Sequence, residues 1–366
     1  MPEIHAARRE RAQARVAALD ADAALITHLP NVLYLTGLAS SNAALLIPAA
    51  GPNVLATDFR YTLAAERDAP DLELLTERQL VPAFGKLAEE RGYRRLLFEA
   101  QEMTVATHEK LAAAAAGVEL APFGEEVEEL RTVKDDAELD LLAAACAISS
   151  RALEELLPEI GPGITERQLA TALERRMVDL GAEAPAFETI VASGPNGAIP
   201  HHVPGDRPLQ SGDLVTIDFG ARYGGYNADM TRTVSIGEPA QWQRDTYELV
   251  KLAQQAGLAA ARPGAASADV DSAARDLIEA AGHGAHFKHG LGHGVGLEVH
   301  EAPMLAASSP GRLAARVPVT IEPGVYLPGR GGVRIEDVIV TGGEATSGPP
   351  GHGVLLTTTT RELLAL

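Results

Sequence analysis

Cysteine is almost absent from the sequence. Cys146 is the single one, which excludes an internal disulfide and fits a reducing compartment, so the chain is expected in the cytoplasm. Long apolar runs are missing too: none approaches the ~20 residues that span a bilayer, and no membrane partner is expected. Positive charge is scarce. Thirty-one lysines and arginines face fifty acidic side chains, a net charge of −19 that repels phosphate backbones and argues against nucleic acid. The amino-terminal stretch has no apolar signal core, and Glu3 and Glu10 do not fit a transit peptide despite Arg8, Arg9, Arg11 and Arg15. An exposed amphipathic helix is expected there instead. What is present is ordinary globular material: 366 residues, 46% of them hydrophobic, enough for two domains with buried cores.

Helix and strand signals alternate through the first part. Residues 4–19 read as a helix, with strands at Ala23–Ile26, Ala43–Pro48 and Val54–Thr57 and a helix around Val81–Arg91. Leu96–Glu99 restarts the alternation, followed by a helix near 104–116 and a strand at Gly117–Leu120. No glycine-rich phosphate loop interrupts this small α/β domain. A boundary falls near Gly124–Lys134, giving domains 1–128 and 129–366, and a charged helix is expected to run on from there to Pro158. Thr165 is a candidate N-cap for a helix to Leu180. Residues 187–236 read as strands, 240–262 and 268–281 as helices, and 285–345 as strands and glycine-rich loops. Two helical pairs and two strand-rich blocks suggest an internally duplicated α+β domain.

The first strand-rich block carries two carboxylates, Asp218 and Asp229. Val215, Ile217 and Phe219 alternate as a buried face, which puts Asp218 on the other side of the strand. Gly224-Gly225 is a good two-residue hairpin loop that would make Asp229 the same-face diagonal neighbour of Asp218. A loop at Tyr223-Gly224 would set the two directly opposite. Either way the carboxylates come within roughly 4.5–8 Å at Cβ, where like charges destabilise a ladder unless a cation lies between them. Two acids on a solvated face are the plain alternative. A second block weakens it: Glu322 and Glu336 flank the Pro328–Gly332 turn, with Ile321, Val333 and Ile335 on the alternate positions.

Between the blocks lies His289-Gly-Leu-Gly-His293-Gly-Val-Gly-Leu-Glu-Val-His300. Its glycines oppose a helix, and the even spacing of His289 and His293 would place both on one side of an extended strand. Four carboxylates and one histidine form a hard, oxygen-dominated donor set. That set favours two divalent ions such as Mn²⁺ or Co²⁺, with Zn²⁺ possible, and metal-assisted hydrolysis.

These residues resemble the pita-bread metallopeptidases, which include prolidase, aminopeptidase P and methionine aminopeptidase. The likeness covers residues 125–345 and rests on DFGARYGGYNADMTRT, HGLGHGVGLEVHE, TIEPGVY and GGVRIED. It implies that Asp229 and Glu336 bridge two metal ions, that Asp218 completes one, and that His293 and Glu322 complete the other. It further implies that Glu322 is the proton acceptor and donor for the attacking water, and that His201, His289 and His300 assist a proline-specific reaction. Arg334 matches an arginine beside the bridging glutamate. His202, His283, His286 and Asp337 are expected to be structural, while Tyr226 and Thr231 are open between support of the metals and an ordinary hairpin role. THLPNVLYLTGLASSNAALLIP resembles the start of the small domain of the proline-specific branch.

The resemblance therefore implies cleavage of an Xaa-Pro bond in a short proline-containing peptide, by a homodimer as is common in the family. Dipeptide substrates are favoured by the compact length. Met304 stands where several prolidases carry a carboxylate-binding arginine, a departure that leaves the choice between dipeptides and longer peptides open; Arg330 or Arg60 could substitute. A non-proline aminopeptidase on the same fold and a non-catalytic binding protein are the remaining alternatives.

Overall fold

Short apolar runs become the strands of the first of two compact units, Met1–Arg131 and Thr132–Leu366. The computed structural model describes residues 2–342 and 353–366. The first unit runs α1 (Pro2–Ala18), β1 (Ala23–Ile26), α2 (Leu29–Thr36), β2 (Ala43–Pro48), β3 (Val54–Thr57), α3 (Thr62–Asp68), β4 (Glu73–Thr76), α4 (Leu80–Glu90), β5 (Arg95–Phe98), α5 (Val105–Ala114), β6 (Glu119–Pro122) and α6 (Glu126–Thr132). The strands form one mixed sheet in the order β4-β3-β2-β1-β5-β6. Leu25, Leu46, Phe84, Leu96 and Leu111 fill its core.

The amino-terminal helix is present with an exposed face that includes Glu3, Glu10 and Arg11, but two of its arginines do not lie on that face. Arg8 and Arg9 are 4% and 2% exposed. Arg8 stacks 4.3 Å over the Tyr34 ring and donates to the Tyr34 carbonyl, while Arg9 donates to the Leu35 carbonyl and pairs with Asp71. Those carbonyls end α2 and have no partner within their helix, so buried guanidinium groups supply the donors they need. Charge in the sequence looked like a solvent face; it is a helix-end contact.

The second unit repeats one order of elements. A helix pair, α7 (Asp136–Leu156) and α8 (Glu166–Asp179), precedes β7 (Ala184–Pro185), β8 (Ile190–Ser193), β9 (Leu214–Phe219), β10 (Ala221–Tyr223), β11 (Tyr226–Asn227) and β12 (Met230–Ser235). A second pair, α9 (Gln241–Ala260) and α10 (Ser267–Ala280), precedes β13 (Gly292–Gly294), β14 (Glu301–Leu305), β15 (Pro318–Ile321), β16 (Gly324–Leu327), β17 (Gly331–Arg334) and β18 (Asp337–Val340), with β19 (Val354–Leu355) at the end. Each half has its own core, with Val215, Ile217 and Phe219 in one and Val319, Ile321 and Val333 in the other. Positions 343–345 of the expected strand-rich stretch lie outside the described residues. Among the described residues no helix is long and apolar enough to cross a membrane.

The charged helix expected to run unbroken to Pro158 is instead two helices, α6 and α7. Asp135 interrupts it by capping α7 in a reciprocal box with Glu138. Its neighbour Lys134 is buried in an ion pair with Glu301 at 2.7 Å. Thr165 caps α8 in the same way with Gln168, as its position suggested.

Each half carries one long hairpin that breaks midway without losing register. In the first, Thr231 pairs with Asp218 and Tyr223 with Tyr226, so the loop is Gly224-Gly225, both at positive φ. In the second, Ile321 pairs with Asp337 and Leu327 with Gly331, so the loop is only Pro328–Arg330. Gly331 and Gly332, expected in the turn, are strand residues, because the backbone at Gly194 and Gly197 packs directly on them. Gly220 marks the break in the first hairpin, where a Cβ would lie 1.7 Å from the Ala228 carbonyl oxygen. Gly220→Ala is therefore expected to cost about 3 kcal/mol through forced separation of the strands. Thermal denaturation checks this; a Tm equal to wild type would refute the close approach.

Candidate metal centre

Strand parity puts Thr216 and Asp218 on one face of the first hairpin, with Asp229, Thr231 and Thr233 across from them. The same parity puts Glu322 and Tyr326 together on the second hairpin, opposite Arg334 and Glu336. Backbone and side-chain bonds fasten the two hairpins. Glu336 N donates to the Thr231 carbonyl at 3.1 Å, and Thr233 Oγ1 donates to the Arg334 carbonyl at 3.0 Å. Arg232 Nη1 donates to the Glu336 carbonyl at 2.6 Å.

The result is a buried acidic cluster. Ligand-type atoms of Asp229, His293 and Glu336 all lie within 4.8 Å of one another. His293 Nε2 is 3.6 Å from Asp229 Oδ2 and 3.3 Å from Glu322 Oε1. Asp218 stands at the edge of the group, with Oδ2 accepting from Arg334 Nη2 at 2.6 Å and Oδ1 buried with no hydrogen-bond partner. Thus three of the five expected ligands form the tightest group, and Asp218 and Glu322 flank it.

Electrostatics describe a site that needs cations. Burial and the charge of Asp218 push the Asp229 carboxyl well above its ordinary range, and burial with Asp229 does the same to Glu336. Burial also raises Asp218, against the opposing charge of Arg334. Burial pushes Glu322 up as well, but the hydrogen bond and charge of His293 outweigh it and hold the group below its usual value. Burial disfavours a charged His293, yet Glu322 and Asp229 overcome it and raise its pKa to about 9. An orphaned buried carboxylate oxygen, acids pushed toward protonation and a histidine held as a cation all fit divalent ions at this place.

The remaining expected residues surround a cavity of about 400 Å³ lined by Phe187, His201, His289, His300, Met304 and others. His289 precedes β13 rather than sharing a strand with His293, and it sits on a bend with Nε2 2.9 Å from Tyr326 Oη. His300 lies with its ring centroid 4.4 Å from that of His293, and His201 is exposed at the cavity wall. Arg334 is buried, donating to Asp218, to Thr231 Oγ1 at 3.0 Å and to Tyr326 Oη at 3.0 Å. Thr231 also donates to Glu336 Oε2 at 2.7 Å, so it supports the acids, whereas Tyr226 donates to Glu138. His202 binds Glu166, His283 and His286 face each other, and Asp337 is held by Arg232, Arg361, Gln254 and Thr357. Tyr326 had no role in the sequence reading. Its parity with Glu322 was the available signal.

Buried paired carboxylates, a histidine and a cavity on a duplicated α+β scaffold define a metal-dependent hydrolase. Residues 140–342 match metallopeptidase family M24, and residues 8–133 match the creatinase/prolidase N-terminal domain. The chain is 37% identical to the Xaa-Pro dipeptidase of Pyrococcus horikoshii over 320 residues, 87% of this chain and 90% of that one. Its fold superposes on the Xaa-Pro dipeptidase from Bacillus anthracis with a TM-score of 0.93, at 34% identity, covering 99% and 100% of the two chains. The X-Pro aminopeptidase from Thermotoga maritima gives a TM-score of 0.89 at 34% identity, covering 98% and 99%. The chain belongs to metallopeptidase family M24. Its second unit has the pita-bread fold.

Two outcomes follow from this geometry. Thr231→Val removes the hydroxyl shared by Glu336 and Arg334 and is expected to weaken divalent-metal binding about 10- to 100-fold, read by calorimetry; unchanged affinity would show that Thr231 does not orient Glu336. The second concerns pH. A histidine raised from 6.5 to about 9 stabilises the fold fully below 6.5 and loses that contribution as pH rises through 9. The raised carboxyls act in the same direction, because ionising them costs more in the fold than in the unfolded chain. The chelator-treated protein should therefore lose thermal stability from pH 6.5 to 9, with the slope flattened by Asp229→Asn or by saturating metal. A Tm that climbs over that range would contradict the assignment.

Proposed function

We propose that the chain hydrolyses the bond between an amino-terminal residue and a following proline, with Xaa-Pro dipeptides as its main substrates. The observation that carries this reading is the meeting of Asp218, Asp229, His293, Glu322 and Glu336 beside a cavity walled by His201, His289 and His300. The likeness to proteins named Xaa-Pro dipeptidase supports it. In this reading Asp218, Asp229, His293, Glu322 and Glu336 would together hold two divalent ions. Mn²⁺ is the proposed metal, with Co²⁺ or Zn²⁺ compatible with the same oxygen-rich donors. When bound, such ions make water more acidic and polarise a carbonyl oxygen.

The residues of the chain do the rest. Glu322 accepts a proton from the attacking water and delivers it to the proline nitrogen as the C–N bond breaks. Without that proton the nitrogen would have to leave as a strongly basic amide anion. His201, His289 and His300 offer donors to the carbonyl and the proline end of the substrate, and Tyr326 fixes His289. The proposal extends to a metallopeptidase domain from about residue 129, to a homodimer and to the cytoplasm, the last supported by the single buried cysteine.

A second reading, cleavage of longer Xaa-Pro peptides, is favoured by Met304. It is 51% exposed on the cavity wall, which Val203, 72% exposed, also lines. An apolar residue there suits a continuing chain better than a terminal carboxylate.

Release of proline from Ala-Pro with Mn²⁺ present, compared with cleavage of Ala-Pro-Ala and Ala-Ala, tests the proposal. Ala-Pro should be cleaved, Ala-Ala should not, and chelation should abolish turnover; cleavage of Ala-Ala alone would sink it. Met304→Arg should raise kcat/KM for Ala-Pro relative to Ala-Pro-Ala about tenfold, the worth of roughly 1.5 kcal/mol of charged hydrogen bond. An unchanged ratio would place carboxylate recognition elsewhere.

A further inference from the structure

Glu166, the first residue of α8, is fully buried, yet it does not line the cavity. Its Oε1 accepts from Ser193 N at 2.8 Å, Ser193 Oγ at 2.6 Å and Asn196 Nδ2 at 2.9 Å. Its Oε2 lies 2.8 Å from His202 Nε2 and accepts from Gly205 N at 3.1 Å. Both ends of the segment 193–205 are thus drawn to one carboxylate, and His201 lies between them. Burial raises the pKa of this acid, but the bonds from Ser193, Asn196 and His202 outweigh burial and hold it below the ordinary range, so it is charged.

The middle of the segment is held from the other side. A Cβ on Gly332 would stand 2.1 Å from the Gly197 carbonyl oxygen, so the two backbones are in direct contact. Arg334 Nη1 reaches the Pro200 carbonyl at 3.4 Å. Beyond Ser193, which ends β8, the segment has a short 3-10 turn at Gly194–Ala198 and then irregular backbone. Left to itself, such a loop would lose substantial entropy on being fixed, and a displaced catalytic group forfeits rate steeply.

We propose that Glu166 is a positioning residue for the reaction: it fixes the 193–205 segment so that His201 meets the proline end of the substrate. The inference rests on the Xaa-Pro reading above. A carboxylate suits this task because its two oxygens accept from every donor of both arms. An amide can keep the Ser193 arm, but it would present a donor to Gly205 N–H and release the arm that carries His201.

The test uses the full-length Mn²⁺-loaded protein as wild type, Glu166→Gln, His201→Ala and the double variant. Glu166→Gln should lower kcat on Ala-Pro about 10- to 100-fold, leave Mn²⁺ affinity unchanged, and speed backbone hydrogen exchange in 194–205 but not in 289–304. In the His201→Ala background it should cost little more, because the group it positions is gone. Additive losses, a fall in metal affinity or unaltered exchange would each overturn the proposal. His202→Ala should show the same pattern at smaller amplitude and carries the test if the Gln variant does not fold; wild-type exchange and rate would then overturn it. A wild-type protein inert toward Ala-Pro would instead sink the Xaa-Pro reading, while the exchange comparison would still decide whether Glu166 anchors the segment.

Discussion

Carboxylates from two separate hairpins meet in one buried volume, and at such range like charges repel strongly in a medium less polar than water. Asp229 and Glu336 are 5% and 1% exposed, so solvent cannot relieve the repulsion. Neighbouring groups absorb part of it: Arg334 takes up Asp218, His293 takes up Glu322, and Thr231 donates to Glu336. The outward side of the same strands is arranged separately. There Asp337, next to Glu336 in sequence, is satisfied by Arg232, Arg361, Gln254 and Thr357. Two adjacent acids therefore have opposite surroundings: Asp337 meets two guanidinium groups, and Glu336 faces the other buried acids.

Rigidity around this cluster comes from glycine as much as from charge. A Cβ on Gly220, Gly292 or Gly294 would fall 1.7, 1.9 or 2.2 Å from a facing carbonyl oxygen, so the backbones that carry Asp218, Asp229 and His293 are in near contact with their neighbours. Close backbone approach leaves few alternative arrangements, which suits a centre whose donors must converge within a few ångströms. The cavity wall is less constrained, and there the buried Glu166 carboxylate gathers the segment that bears His201.

Much of this was legible in the sequence because its signals were local. Period-2 alternation put Asp218 and Asp229 on one face under either of two candidate loops, of which the Gly224-Gly225 loop is the one observed, and Thr165 was a candidate N-cap. Contacts between distant segments were not legible. Arg8 and Arg9 looked solvated, since nothing nearby in the chain reveals the α2 carbonyls they serve. The Asp135–Glu138 cap that breaks the helix is local, but the burial of Lys134 against Glu301, far along the chain, is not. Glu166 and Tyr326 had no place in the sequence analysis; the fold brings His202 to the first and His289 to the second.

The account stands on two divalent ions held by Asp218, Asp229, His293, Glu322 and Glu336. Calorimetric titration of the chelator-treated chain with Mn²⁺ near pH 8, in buffers of different ionisation enthalpy, tests it most directly. Two equivalents per chain should bind, with release of the proton that His293 holds in their absence. One equivalent or none, or binding without proton release, would contradict it.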